Sequence, residues 1–297
     1  MSSVTIQNPG ASLEAIQHHY DVSNEFYKLW LDRACTYSSA LWEEGDTLDT
    51  AQLRKIDFHI ENSRAKGVDR VLDIGCGWGS TLDRLVDKYD VRQAIGLSLS
   101  ETQTQWIRDR KNPQIQVHLE SWSEHSPTEP YDAIISIGAF EHFAKLHQTS
   151  QQKIAGYREF FQRCHQWLNP GSYLSLQTIA YGNSKPEDFS EFMANEIFPD
   201  TDLPRLSEIV EACEHLFEIV TLRNDRACYE RTCRAWLANL KQNREAAVRL
   251  VGEETVARYE KYLQVSIVGF YSGKLVLLRM ALRRLDRPYR PLKRRQG

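Results

Sequence analysis

Three glycines at alternate positions close a short apolar run in Val71-Leu72-Asp73-Ile74-Gly75-Cys76-Gly77-Trp78-Gly79. Glycine carries no Cβ, so Gly75 and Gly77 allow a ligand to approach the backbone where another residue would block it. The run before them reads as a buried strand, and Ser80 to Tyr89 reads as a helix. A strand that ends in a glycine turn and opens a helix aims free backbone N–H groups at its ligand. The spacing is GxGxG, not the GxGxxG that cradles a pyrophosphate. A second chemical pair, Glu141-His142, follows a later apolar run. There a carboxylate can take a proton or orient an amine, and an imidazole can titrate near neutrality. Equally, Glu141 can cap a helix and His142 can be a satisfied core imidazole.

Positioning these groups calls for alternating strands and helices. Strands are predicted at residues 70–74, 94–99, 116–120, 132–137 and 173–179, with later ones at 217–223 and 274–281. Helices are predicted over 80–89, from about Ser100 with Ser100 as cap, from about Thr149 through Trp167, over 207–214 and through 231–264. Ser123–Pro130 is turn-rich, and Asn169-Pro170-Gly171 reads as a turn. This order implies an α/β fold with a mostly parallel sheet. The first seventy residues read as helical, and 181–204 is too long for a simple connection. Both suggest a cover over the C-terminal strand edge, where open α/β sheets bind ligands. One domain is expected, divided into a helical cap (1–68), a ligand-binding half (69–180), an inserted lid (181–215) and a C-terminal part (216–297).

Composition agrees with a globular chain. Of 297 residues, 41% are hydrophobic, with 7 Trp, 13 Tyr and 11 Phe, which excludes intrinsic disorder. The net charge of −3 gives a weak mean field, and no nucleic-acid partner is expected. Charge is uneven, however: residues 283–297 carry +6 and the rest −9. That tail is either a solvated segment or a foot for an anionic lipid surface. Cys35, Cys76, Cys164, Cys213, Cys228 and Cys233 show no CxxC spacing and read as free thiols, not zinc ligands or disulfides. His18 and His19 lack ligand-spaced partners. The N-terminus lacks the features of a secretory signal, and residues 265–282 are broken by Lys274 and Arg279, so a cytoplasmic protein without a membrane span is expected.

The acid-then-GxGxG pattern resembles motif I of class I S-adenosylmethionine-dependent methyltransferases. Further segments resemble cyclopropane fatty acid synthases and mycolic acid methyltransferases: His19-Tyr20-Asp21-Val22-Ser23-Asn24-Glu25-Phe26-Tyr27, Thr36-Tyr37-Ser38-Ser39-Ala40-Leu41-Trp42, Gly96-Leu97-Ser98-Leu99-Ser100-Glu101-Thr102-Gln103, Ser136-Ile137-Gly138-Ala139-Phe140-Glu141-His142-Phe143 and Glu196-Ile197-Phe198-Pro199 with Leu203-Pro204. The resemblance covers about residues 15–282. It implies a Rossmann-like, seven-stranded fold that binds S-adenosyl-L-methionine through Tyr37, Ser38, Asp73, Gly75, Gly77, Ser98, Leu99, Gln103, Ser121, Trp122 and Ile137.

The resemblance also implies attack of an alkene in a lipid-like acceptor on the sulfonium methyl, with a bound bicarbonate as base. Glu141 and Tyr229 match the Glu and Tyr that hold this anion. Ser39 stands where the family has Cys, and Gln177 where it usually has His. Gln177 still donates but cannot titrate near neutrality. Tyr37, Trp42 and Phe140 are expected to shape an aromatic pocket, His142 to join the site, and Cys35 to be structural. The alternatives are C-, N- or O-methylation of a small metabolite, or a non-catalytic lipid- or partner-binding scaffold.

Overall fold

The computed structural model describes residues 23–184 and 201–286. His19–Val22 and Glu196–Pro199, parts of two of the family-like segments, lie outside the described residues, as do residues 185–200 of the expected lid and the tail from residue 287. The order within the described residues is α1 (Asn24–Lys28), α2 (Leu48–Asn62), β1 (Arg70–Ile74), α3 (Ser80–Tyr89), β2 (Gln93–Ser98), α4 (Glu101–Arg108), β3 (Ile115–Leu119), β4 (Tyr131–Ile137), α5 (Ser150–Trp167), β5 (Leu168–Tyr181), α6 (Leu206–Cys213), β6 (Phe217–Asn224), α7 (Arg226–Gln242), α8 (Arg244–Val251), α9 (Glu253–Ser272) and β7 (Leu275–Arg284).

One seven-stranded sheet runs in the order β3-β2-β1-β4-β5-β7-β6. The first five strands are parallel, and β7 enters antiparallel between β5 and β6. The inner parallel strands β1, β2 and β4 are almost wholly buried because helices cover both faces, whereas β3 at the sheet edge is largely exposed. On one face Ile56 and Ile60 of α2, Leu82 and Leu85 of α3 and Ile107 of α4 are buried against the sheet. On the other, Tyr157, Phe160 and Phe161 of α5 fill the space beside Ile134, Leu174 and Leu176. A third cluster lies beyond the strand ends, where Phe26, Tyr27 and Trp30 meet Trp236 of α7 and Tyr259 of α9. Burying a side chain the size of Phe26 is worth about 1.5–3 kcal/mol, so this cluster ties the N-terminal segment to the C-terminal helices.

Several sequence expectations need correction. Residues 29–47 are mostly irregular, so α1 and α2 flank a loop instead of forming a continuous helical cap. The predicted 231–264 helix is three helices, because Asn243 and Gly252 end α7 and α8, Gly252 at φ 83°. Strand β5 starts at Leu168 and runs through the predicted Asn169-Pro170-Gly171 turn; the register against β4 shifts between Tyr131 and Ala133. Strand β7 extends to Arg284, so the basic stretch does not begin as a free tail. Arg283 pairs with Glu218 at 2.5 Å, and Arg284 donates to the Leu168 carbonyl. Among the described residues no helix is long and apolar enough to cross a membrane.

Candidate active site

A cleft of about 1100 Å³, mouth included, opens at the C-terminal ends of β1, β2 and β4. All eleven residues expected to contact the cofactor line it: Tyr37, Ser38, Asp73, Gly75, Gly77, Ser98, Leu99, Gln103, Ser121, Trp122 and Ile137. The two leading glycines are required for different reasons. A Cβ on Gly75, at φ +82°, would sit 2.7 Å from the Ala139 Cβ, so Gly75 admits the β4 loop. A Cβ on Gly77, at φ +54°, would meet nothing within 4 Å and would project into open space. Ser98, Ser100 and Gln103 form a tight local set. Ser100 Oγ caps α4 by accepting from the Gln103 N–H at 3.2 Å, while the Gln103 carboxamide oxygen accepts from Ser98 Oγ at 3.1 Å. Trp122 packs on Phe143 with ring centroids 5.1 Å apart.

Asp73 lies at the floor of the cleft. It is buried, and its Oδ1 has no hydrogen-bond partner. Burial pushes its carboxyl up to about 7, opposed by Lys55 and Thr81. A buried acceptor without a donor is costly unless a ligand satisfies it.

The expected catalytic group is arranged differently. Of its five members only His142 lines the cleft. Burial pushes its imidazole down to about 4, which keeps it neutral at pH 7. Glu141 lies just behind the wall: a Cβ on Gly138 would sit 3.7 Å from Glu141 Oε1 and 3.8 Å from the Ser38 Cβ. Its carboxylate accepts from Thr178 Oγ1 at 3.0 Å, and burial pushes it up to about 7. Ser39 donates to the Ala40 carbonyl at 3.1 Å. Tyr229 stacks on Phe270, with centroids 4.4 Å apart.

Gln177 belongs to a buried polar cluster absent from the sequence expectations. Its Oε1 accepts from Arg279 Nε at 2.8 Å and lies 3.2 Å from His59 Nε2, while its Nε2 has no partner. His59 Nδ1 is 2.8 Å from Ser175 Oγ. Arg279, 0% exposed, also donates to the Ser39 and Ala40 carbonyls and pairs with Asp225 at 2.6 Å.

Two expected aromatic contributors are not at the cleft. Phe140 stacks on Tyr157 in the core at 4.6 Å, and Trp42 donates to Thr232 Oγ1 at 2.9 Å. Phe143 lines the wall with Trp122 and Tyr37 instead. Cys35, expected to be structural, lines the cleft too, with burial pushing its thiol up to about 11. Sequence reasoning also missed Lys55 and Glu120 in the lining. Signals for some of these existed. Lys55 and His59 share the buried face of α2 with Ala51, Ile56 and Ile60, and Arg279 interrupts the apolar run of β7. Glu120 supplies an acid after β3 where the end of β2 has none, and it holds His125 Nδ1 at 2.6 Å.

The sequence profile described as mycolic acid cyclopropane synthetase matches residues 7–280. The chain belongs to that family. Cyclopropane mycolic acid synthase 2 of Mycobacterium leprae (strain TN) is 35% identical, with 84% of this chain and 87% of that protein covered. The solved structure of the cyclopropane synthase MmaA2 from Mycobacterium tuberculosis superposes with a TM-score of 0.83 at 31% identity, covering 94% of this chain and 100% of that one. The mycolic acid cyclopropane synthase CmaA1, solved with SAH and CTAB, gives the same TM-score and identity over 93% and 99% of the two chains. This chain and those two solved structures thus share one fold over nearly their whole lengths.

Proposed function

We propose that this protein is an S-adenosylmethionine-dependent methyltransferase acting on a carbon nucleophile, an alkene in a lipid-like acceptor. The observation that carries the reading is the cleft itself, which gathers at one strand edge every residue the family resemblance assigns to the cofactor. The cofactor fits on structural grounds: Gly77 leaves open space, and Asp73 Oδ1 is a buried acceptor awaiting a donor. Family membership and a relative solved with SAH support the same ligand.

When bound, S-adenosylmethionine supplies an electrophilic sulfonium methyl. This chain's residues bind and orient it through the glycine turn and the Ser98–Gln103 set, and Trp122 and Phe143 offer aromatic faces that tolerate cationic charge at the acceptor. Glu141 and Tyr229 hold the base side, and Glu141, poised near neutrality, manages the proton released after methyl transfer. Bicarbonate fits this region in one respect, since Gln177 Nε2 is a buried donor without a partner. It would be held by Gln177 with Glu141, Tyr229 and Ser39 and would supply a base. Removing dissolved bicarbonate should therefore slow turnover while leaving S-adenosylhomocysteine binding unchanged.

The decisive experiment uses trideuteromethyl cofactor. Cyclopropanation loses one hydrogen from the transferred methyl, so the product retains two deuteriums; retention of three would replace ring formation by simple methylation. One observation favours methylation of an amine as the second reading: His142, neutral in the cleft, offers a ring nitrogen that can accept a hydrogen bond from the N–H of such an acceptor. Undetectable S-adenosylhomocysteine binding by calorimetry would leave only the scaffold alternative. Cytoplasmic location and contact of residues 283–297 with anionic lipid complete the proposal, the latter testable by sedimentation with phosphatidylserine vesicles.

A further inference from the structure

Helix α2 carries a lysine into the cofactor cleft. Lys55 is 1% exposed and lines the cleft together with Ser38 and Asp73. Its Nζ donates to Ser38 Oγ at 2.8 Å. An ammonium has three donors, so two remain. Asp32 and Asp73 act on it through space, but among the described residues neither forms an ion pair with it. Nearby, Asp73 Oδ1 is a buried acceptor with no donor. A buried charge without a direct partner is unfavourable. The same wall thus presents a lysine amine that, once protonated, has donors to spare and a carboxylate oxygen that has no donor, the complement of an amino-acid zwitterion.

We propose that Lys55 is a specificity-determining residue that pairs with the α-carboxylate of S-adenosylmethionine while Asp73 receives its α-ammonium. This rests on the cofactor reading above and assigns a residue that the sequence motifs leave unnamed. It explains why a lysine occupies the inward face of α2 between Ala51 and Ile60, where an apolar side chain would otherwise serve. It also gives the cleft a means of separating a nucleoside that carries an intact amino acid from one that has lost it.

The proposal carries a proton signature. The charged and titratable groups facing Lys55 are Asp32 from the loop after α1, Asp73 from β1, Arg279 from β7 and His59 from α2 itself. Burial pushes Lys55 down to about 7 against the opposing pull of Asp32, and Arg279 lowers it further. At pH 8 the ligand-free amine is therefore largely neutral. Arrival of a carboxylate favours the ammonium, so binding takes up a proton.

The test is calorimetry at pH 8, in buffers of different ionisation enthalpy, with S-adenosylhomocysteine and with 5′-methylthioadenosine, which keeps the thioether nucleoside but lacks the amino acid. Wild-type protein should favour S-adenosylhomocysteine strongly and take up a proton on binding it. Lys55→Met should weaken S-adenosylhomocysteine about 10- to 100-fold, the size of a charge-assisted hydrogen bond, abolish proton uptake and leave 5′-methylthioadenosine affinity unchanged. Lys55→Arg should retain the preference without proton uptake, since a guanidinium stays charged. Unchanged S-adenosylhomocysteine affinity in Lys55→Met overturns the proposal. So does absence of proton uptake in the wild type, which needs no folded variant. If wild-type protein binds neither ligand, the cofactor reading fails; if it binds both without preference, only the role of Lys55 fails.

Discussion

Along the ends of β1, β2 and β4 the cleft is walled by short contiguous segments, Gly75 to Trp78, Ser98 to Ser100 and Ile137 to Ala139. Behind it, the polar cluster takes His59 from α2, Gln177 from β5, Arg279 from β7, Asp225 from the turn before α7 and the Ser39 carbonyl from an irregular loop. The first region works through backbone shape, glycine conformation and local caps. The second works through buried charge and amide groups that meet only because the strands are in register, Gln177 lying opposite Arg279 and Arg279 opposite Arg223. On the proposed function, shape at the near wall would select the cofactor, and polarity behind it would act on the acceptor side. Substitutions should therefore sort into those that change affinity for S-adenosylhomocysteine and those that change turnover or stability.

The largest effect is expected at Glu141. Glu141→Gln preserves shape and the Thr178 contact but removes the basic oxygen, so turnover should fall by about 10²- to 10⁴-fold. S-adenosylhomocysteine affinity should not move. A base works only when ionised, and the Glu141 carboxyl is pushed up to about 7. The wild-type rate should therefore climb as pH rises from 6 to 8 and then level, and this limb should vanish in the variant. An equal loss of cofactor affinity would dissolve the separation between the two regions.

Arg279 tests the buried cluster as a structural element. Arg279→Met leaves Asp225, the Ser39 and Ala40 carbonyls and Gln177 Oε1 short of a donor. Breaking a buried pair from one side costs about 3–5 kcal/mol, so thermal unfolding should shift down by many degrees. S-adenosylhomocysteine affinity at low temperature should stay near that of the wild type. A variant as stable as the wild type would mean that Arg279 contributes nothing net to the fold.

Much of the near wall was readable in the sequence because its determinants are local. A strand, a glycine turn and a helix are contiguous from Arg70 to Tyr89, and Ser100 announces the cap of α4 by its position before the helix. The strands were found because buried parallel strands are short apolar runs. Their ends were less well placed where register or a turn residue intervened, as at Asn169-Pro170-Gly171 inside β5. The polar cluster was hidden because its members are far apart in sequence: His59 and Gln177 are separated by 118 residues, and Gln177 and Arg279 by 102. Phe140 and Trp42 were misassigned for a related reason. Aromatic type marks burial, but whether a ring faces a core or a cleft depends on partners such as Tyr157 and Thr232, which spacing does not reveal.

At the near wall, Gly75→Ala should act on affinity first. The added methyl meets the Ala139 Cβ at 2.7 Å on a backbone at φ +82°. Overpacking of this kind costs about 1–3 kcal/mol. Part of that cost falls on the cleft, because Ala139 lines it and must move. S-adenosylhomocysteine should bind about 10-fold more weakly by calorimetry, and turnover at saturating cofactor should change less than the affinity. A turnover defect without an affinity defect would shift Gly75 into the catalytic region.

The smallest effect is expected at Ser100, which separates cap from contact. Its hydroxyl accepts from the Gln103 N–H, and its own N–H donates to Ser98 Oγ at 3.1 Å. Ser100→Ala removes the first bond and keeps the second, since the backbone N–H remains. Losing a helix cap costs about 1 kcal/mol, which denaturant titration can resolve. If Ser100 acts only as a cap, Gln103 stays aimed at the cleft through Ser98 and S-adenosylhomocysteine affinity holds. A loss of affinity larger than the loss of stability would mean that the first turn of α4 is held in place chiefly by that hydroxyl, and that the near wall depends on side-chain hydrogen bonds as much as the polar cluster does.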